Sequence, residues 1–148
     1  MINHIDVSSM LRKSVCELYS NLVTRPTGAA VRCEIEQELD RIGDRALTVI
    51  DFSHVGLLDF SCADEIVAKL LRDRRAVVVL SGISEGHREA IEPVLAGHGL
   101  AALIERRDGS GELEALGAPE AAAALLHELV ARRLAVRTPA GTIALTLA

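Results

Sequence analysis

His54, Asp59 and Ser61 place an imidazole, a carboxylate and a hydroxyl within one short stretch of chain. A Ser–His–Asp chain can be drawn through them on paper. Nucleophilic catalysis needs more than the three residue types: a Gly-x-Ser-x-Gly elbow to expose the hydroxyl, and N–H donors for an oxyanion. Ser61 instead stands in Asp59-Phe60-Ser61-Cys62-Ala63, which has no such elbow, so no catalytic residue is assigned. His4, His54, His87, His98 and His127 fall in neither H-x-x-x-H nor H-E-x-x-H spacing, and no metal or cofactor is expected. Arg25, Thr27 and Gly28 open a predicted helix, where backbone N–H groups could cradle an anion. A lone Arg at a helix start is weak without a P-loop or a G-x-G-x-x-G, and Thr27 reads equally as a cap.

Ser61 has two readings. A residue between a strand and a helix lies among unpaired N–H groups with positive partial charge. Phosphorylation there adds about −1.5 to −2 charge and can create or abolish a docking surface. Asp59 would repel that charge, and can hydrogen-bond the unmodified hydroxyl. In the plainer reading Ser61 is a helix N-cap and Asp59 a loop-closing acceptor. Phe60 and Cys62 read as packing residues. Asp64 and Glu65 read as lying on the exposed side of a helix start, where they complement the dipole.

The elements that must hold these groups follow from periodicity. Residues 7–23 carry apolar side chains three and four apart, which predicts a helix capped by Asp6 or Ser8. Residues 28–42 predict a second helix, begun after Pro26 and ended at Gly43. Residues 46–52 and 76–80 are short apolar runs that read as buried central strands, with a helix over 63–71 between them. A helix over 84–98, capped by Ser84 and interrupted by Pro93, leads to a third strand at 100–104. The polar, Gly-rich stretch after it is the one plausible boundary. Beyond it lie a short turn of helix at 113–116, a helix from Pro119 to about residue 133, and a hairpin turning at Pro139-Ala140-Gly141. The predicted fold is α/β, a small sheet with helices packed on it. Residues 1–107 form the main unit, and residues 112–148 form a winged-helix-like helix–hairpin appendage, possible on the same core.

The segment Leu47-Thr-Val-Ile-Asp51-Phe52-Ser53-His54-Val55-Gly56-Leu57-Leu58-Asp59-Phe60-Ser61-Cys62-Ala63-Asp64-Glu65 resembles the STAS family, which includes bacterial anti-sigma-factor antagonists. The family pattern is an apolar strand ending in Asp, a loop, then Asp-Ser-Ser-Gly-Leu opening a helix. Asp51 matches the strand-terminal Asp, and Ser61 takes the place of the serine phosphorylated in the antagonists. Phe60 and Cys62 depart from the pattern. The Ser-Cys-Ala-Asp-Glu wording and the helix after Arg25-Pro26-Thr27-Gly28 look closer to a divergent STAS-like group. The resemblance covers about residues 24–105. It implies a STAS-like sheet and a regulatory interaction module, with Asp51, His54, Asp59, Ser61, Cys62 and Asp64 at the docking or switch site. Its partner would be a kinase-like or anti-sigma-like protein.

Composition narrows the alternatives. Aromatic residues make up 2% of the 148 residues, with no Trp, which leaves few rings for stacking single-stranded bases or sugars. The net charge of −5 disfavours a nucleic-acid footprint over the whole chain. A local one through Arg132, Arg133 and Arg137 on the C-terminal segment is the competing function. The other basic clusters, Arg72 with Arg74 and Arg75, and Arg106 with Arg107, read as solvated helix ends and loops. Three scattered cysteines and no signal-like N-terminus predict a reduced, cytoplasmic protein. No apolar stretch is long enough for a membrane. A homodimer is compatible with all of this.

Overall fold

The computed structural model describes residues 2–43, 47–73 and 77–146. Ala46 and Ala76, expected to open two strands, and Arg74 and Arg75 lie outside these residues. In chain order the elements are β1 (Ile2–Asp6), α1 (Val7–Ser14), α2 (Arg25–Ile42) and β2 (Leu47–Asp51). Next come α3 (Phe60–Cys62), a π-helical stretch (Ala63–Ala68), α4 (Lys69–Asp73) and β3 (Val77–Ser81). The chain continues through α5 (Glu85–Gly97), β4 (Ala101–Glu105), β5 (Leu113–Gly117), α6 (Pro119–Ala131), β6 (Ala135–Arg137) and β7 (Ile143–Leu145).

The protein is α/β, as its strand–helix alternation predicts. The sheet runs β1-β2-β3-β4-β5, with the first four strands parallel and β5 antiparallel. Pleating sorts the side chains into two faces. Ile5, Ile50, Leu80 and Ile104 are neighbours in register on one face, where they pack with Leu11, Ile35, Ile66 and Ile91 of the helices. Val49, Val79 and Leu103 line the other face, covered by Leu129 of α6 and by Ile143 and Leu145 of the β6–β7 hairpin. Both faces are buried, which is why β2 and β4 read as unbroken apolar runs.

Two expectations are corrected. The helix placed over 7–23 ends at Ser14, whose hydroxyl donates to the Met10 carbonyl at 2.6 Å. Asp6 caps its start, accepting the Ser8 N–H, as expected. The residues before it form strand β1, and residues 16–24 form a strap outside any helix that opens with a turn, Tyr19 N donating to Cys16 O at 3.1 Å. The strap has no helical ladder because its backbone bonds elsewhere: Leu22 bridges Leu58 in parallel fashion. The short turn of helix at 113–116 is strand β5. The Gly-rich stretch before it is the connection that turns β4 back on itself, so 113–117 finds a strand partner at once. Glu112 and Gly111 then tie the C-terminal hairpin to the sheet through a bridge to Ala144 and a bond from Leu145 N at 2.9 Å.

Parallel strands β1, β2 and β3 end together, with Asp6, Asp51 and Ser81 in register. The loops leaving that edge carry the candidate site. Gly82 makes the edge possible. It has φ +65°, and a Cβ there would stand 2.6 Å from the Asp51 carboxylate.

Candidate functional site

Asp59 organises the turn into α3. It is the N-cap: its Oδ1 accepts the Cys62 N–H and the Ser61 hydroxyl, both at 2.8 Å. Its Oδ2 accepts the Thr24 N–H at 2.9 Å. Ser61 is therefore not the cap. It donates to the cap, which is the hydrogen bond open to it if unmodified. Burial raises the Asp59 pKa, but the N–H and hydroxyl donors outweigh it and hold the carboxyl below its ordinary value.

Thr24 joins the strap to α2 with φ +70° and ψ 141°. A β-branched residue rarely adopts this conformation, and holding it costs on the order of 1–3 kcal/mol. Three bonds fix its backbone. Its N–H goes to Asp59, and its carbonyl accepts the Gly28 N–H at 3.2 Å and the Cys62 thiol at 3.1 Å. Upstream, the strap runs beside the loop before Asp59. Leu22 N donates to Leu57 O, Gly56 N to Ser20 O, and Asp59 N to Leu22 O, at 2.7–3.0 Å. Leu57 N also donates to the Asn21 side chain at 2.8 Å. Leu22 is fully buried and pins the strap to the core.

The loop between β2 and α3 is clamped from the other side by buried His87. Nδ1 accepts the Ser84 N–H at 3.2 Å, so Nε2 carries the proton and donates to Gly56 O at 2.8 Å and Val55 O at 3.1 Å. Ser84 Oγ accepts the His87 N–H in return, completing a capping box. Asp51 closes the start of the same loop, accepting Ser53 N and Ser53 Oγ at 2.8 and 2.9 Å.

Glu65 and Asp64 correct the expectation of an exposed acidic pair. Glu65 is 3% exposed and meets Arg25 and Lys69 at 2.8 Å and Arg32 at 3.5 Å. Asp64 pairs with Arg25 at 2.7 Å and with His98 at 3.0 Å. The π turn and Gly28 together bring this about. A Cβ on Gly28 would stand 3.0 Å from Cys62 Cα and 3.1 Å from Glu65 Cβ, so α2 rides directly on the π segment. Arg25, expected beside an anion, spends its guanidinium on two carboxylates, and Gly28 faces protein. Thr27 shares a 3.1 Å bond between hydroxyls with Thr24 and caps nothing.

His54 is exposed and lines an open hollow of about 580 Å³ with Asp6, Arg12 and Tyr19. Among the described residues no hydrogen bond joins it to Asp59 or Ser61, so the structure does not assemble the Ser–His–Asp chain. Cys62 is buried, as a packing residue should be, but Phe60 is 62% exposed. Other large apolar side chains whose exposure sequence reasoning missed are Leu18, 91% exposed, Leu57, Tyr19, Val15 and Val23; Leu18, Tyr19 and Val23 line one hollow. Helical spacing alone assigns the strap residues to a helix, which the structure does not form there. Arg132 stands at the end of α6, 3.6 Å from Glu128. Arg133 has φ +60° in the turn that follows, and Arg137 is exposed on β6. No helix among the described residues is long and apolar enough to cross a membrane, and no group of metal-ligating side chains occurs among them. Comparison with protein-family models, with curated proteins and with solved structures finds no match.

Proposed function

We propose that this chain is a non-enzymatic regulatory module that binds a partner protein, in the manner of anti-sigma-factor antagonists of bacterial signalling, and that phosphorylation of Ser61 switches it. One observation carries the reading. Of the seven large apolar side chains exposed among the described residues, Leu18, Tyr19 and Val23 lie on the strap, Leu57 on the loop hydrogen-bonded to it and Phe60 next to Ser61 at the start of α3; Val15 caps the end of α1 and Val136 is on β6. Clustered exposed apolar groups mark interaction surfaces, whereas scattered ones do not. The resemblance of residues 47–65 to the STAS pattern supports the same surface, because it puts Ser61 where the antagonists carry their phosphoserine. Phosphoryl transfer from a nucleoside triphosphate forms the Ser61 Oγ–P bond and breaks the bond from Pγ to the oxygen bridging to the β-phosphate. The hydroxyl proton leaves with the base of the kinase.

The test is capture from native cell extract with wild-type chain, Ser61→Asp and Leu18→Ser side by side, read by mass spectrometry. The expected result is a protein retained by wild type, lost with Leu18→Ser and changed in yield by Ser61→Asp. Identical captures by all three variants would overturn the reading.

A further inference from the structure

We propose that Ser61 controls the strap, residues 16–24, through Asp59: an anion at position 61 expels the Asp59 carboxylate, and the strap opens. This rests on the reading of Ser61 as a switch and says what the switch moves. One carboxylate serves the turn and the strap at once, with Ser61 Oγ and Cys62 N on Oδ1 and Thr24 N on Oδ2. The unmodified hydroxyl donates a proton to Oδ1. Phosphorylation removes that proton and puts a dianion within hydrogen-bond distance of a carboxylate. Among the described residues no cation pairs with Asp59. Its described partners are N–H and O–H groups, and Arg25 is held by Asp64 and Glu65.

Thr24 converts loss of one acceptor into movement. Its left-handed φ persists only while neighbouring bonds over-determine it. Without Asp59 Oδ2, the Thr24 N–H has no partner and the backbone is drawn towards negative φ. That rotation swings the strap about the start of α2 and carries Leu18, Tyr19 and Val23 with it. Buried Leu22 and its bonds to Leu57 and Asp59 oppose the motion, so the opening is local and leaves the sheet intact. The apolar surface is thereby rebuilt rather than merely recharged.

The experiment is residue-resolved amide exchange by NMR on the full chain without any partner. Ser61→Glu raises exchange at Thr24 N, Leu22 N and Gly56 N by about tenfold or more, while amides of β2 and β3 stay protected. Ser61→Ala, which loses the hydroxyl but adds no charge, leaves these amides within about twofold of wild type. Asp59→Ala opens the strap as Ser61→Glu does, and the double variant goes no further than Asp59→Ala alone. Strap amides unmoved in Ser61→Glu overturn the latch, even if partner capture still differs between forms. Additive opening in the double variant also overturns it, because Ser61 would then act by another route. Strap opening without any captured partner upholds the latch and sinks only the docking reading.

Discussion

Cys62 shares the turn with Ser61, yet its chemistry is closed. The thiol is fully buried, donates to the Thr24 carbonyl and lies beside the Asp59 carboxylate. Burial first, and then that negative charge, push its pKa up to about 12. The thiolate is the reactive form, so almost none exists at neutral pH. Cys33 is exposed on α2 and Cys16 is half-buried. Timed reaction with a disulfide reagent on native protein should modify Cys33 first and leave Cys62 untouched until the fold is unfolded with denaturant. Fast modification of Cys62 in native protein would mean that the turn is open far more often than its bonds imply. Asp59 is the residue-scale centre of the site; the sequence reads it as a loop-closing acceptor and offers Ser61 as the cap, whereas Asp59 itself is the cap. What the sequence hid was the second oxygen. Its partner, the Thr24 N–H, lies thirty-five residues earlier, and no local pattern reports it.

The loop from β2 to α3 is held by two neighbouring elements as well as by its own turn, in which Val55 N donates to Phe52 O at 3.0 Å. The strap bonds one side of it, and α5 the other through His87, whose ring contacts Phe52 at 6.0 Å between centroids as well as the two loop carbonyls. His87→Ala should therefore cost about 1–3 kcal/mol, from the lost capping box and two stranded carbonyls. The loss should be concentrated in one place: amide exchange should quicken at Val55 and Gly56 while β3 and β4 stay protected. Uniform loss of protection would show that His87 supports the core instead. Sequence reasoning located Ser84 as a cap but not its partner, because an imidazole stands where Glu or Gln usually completes the box. The same limit explains β1 and the strap. Ile2 and Ile5 alone are a faint strand signal, and an edge strand needs to bury only one side. In the strap, apolar residues three and four apart imitate a helix, but Leu22 is the one that is buried while Leu18 and Tyr19 stay exposed. Periodicity counts apolar residues and cannot say whether they face a core or a partner. The buried strands β2, β3 and β4 were legible for the opposite reason: a strand covered on both faces has one reading.

Across the whole molecule, charge pairs tie elements together, and that sets the response to acid. Glu65 and Asp64 bind α2 to the π segment through Arg25, with Arg32 and Lys69 also on Glu65, and Glu114 binds β5 to Arg88 of α5 at 2.5 Å. The carboxyls of Asp59, Asp64, Glu65 and Glu114 all lie below their ordinary values. For Asp59 and Glu65 burial pushes the other way and is outweighed by hydrogen bonds; for Asp64 and Glu114 the bonds to Arg25 and Arg88 lead. A carboxyl whose pKa is lowered by folding stabilises the fold above its unfolded value, about 4, and that stability is lost as pH falls through the lower folded value. Urea midpoints should therefore be flat near neutrality and fall steeply between about pH 5 and about pH 2. Low salt should steepen the fall. Once the 21 side-chain carboxylates are neutral, the 16 Lys and Arg keep their positive charge, and self-repulsion opposes the compact state. Asp59→Asn gives the decisive contrast. It should be less stable than wild type at neutral pH by about 1–2 kcal/mol, because both Asp59 oxygens accept hydrogen bonds and the amide NH2 of Asn can accept none, and the gap should close in acid, where wild-type Asp59 is protonated too. A gap that persists unchanged to low pH would mean that the shape of the side chain, rather than its charge, holds the turn and the strap together.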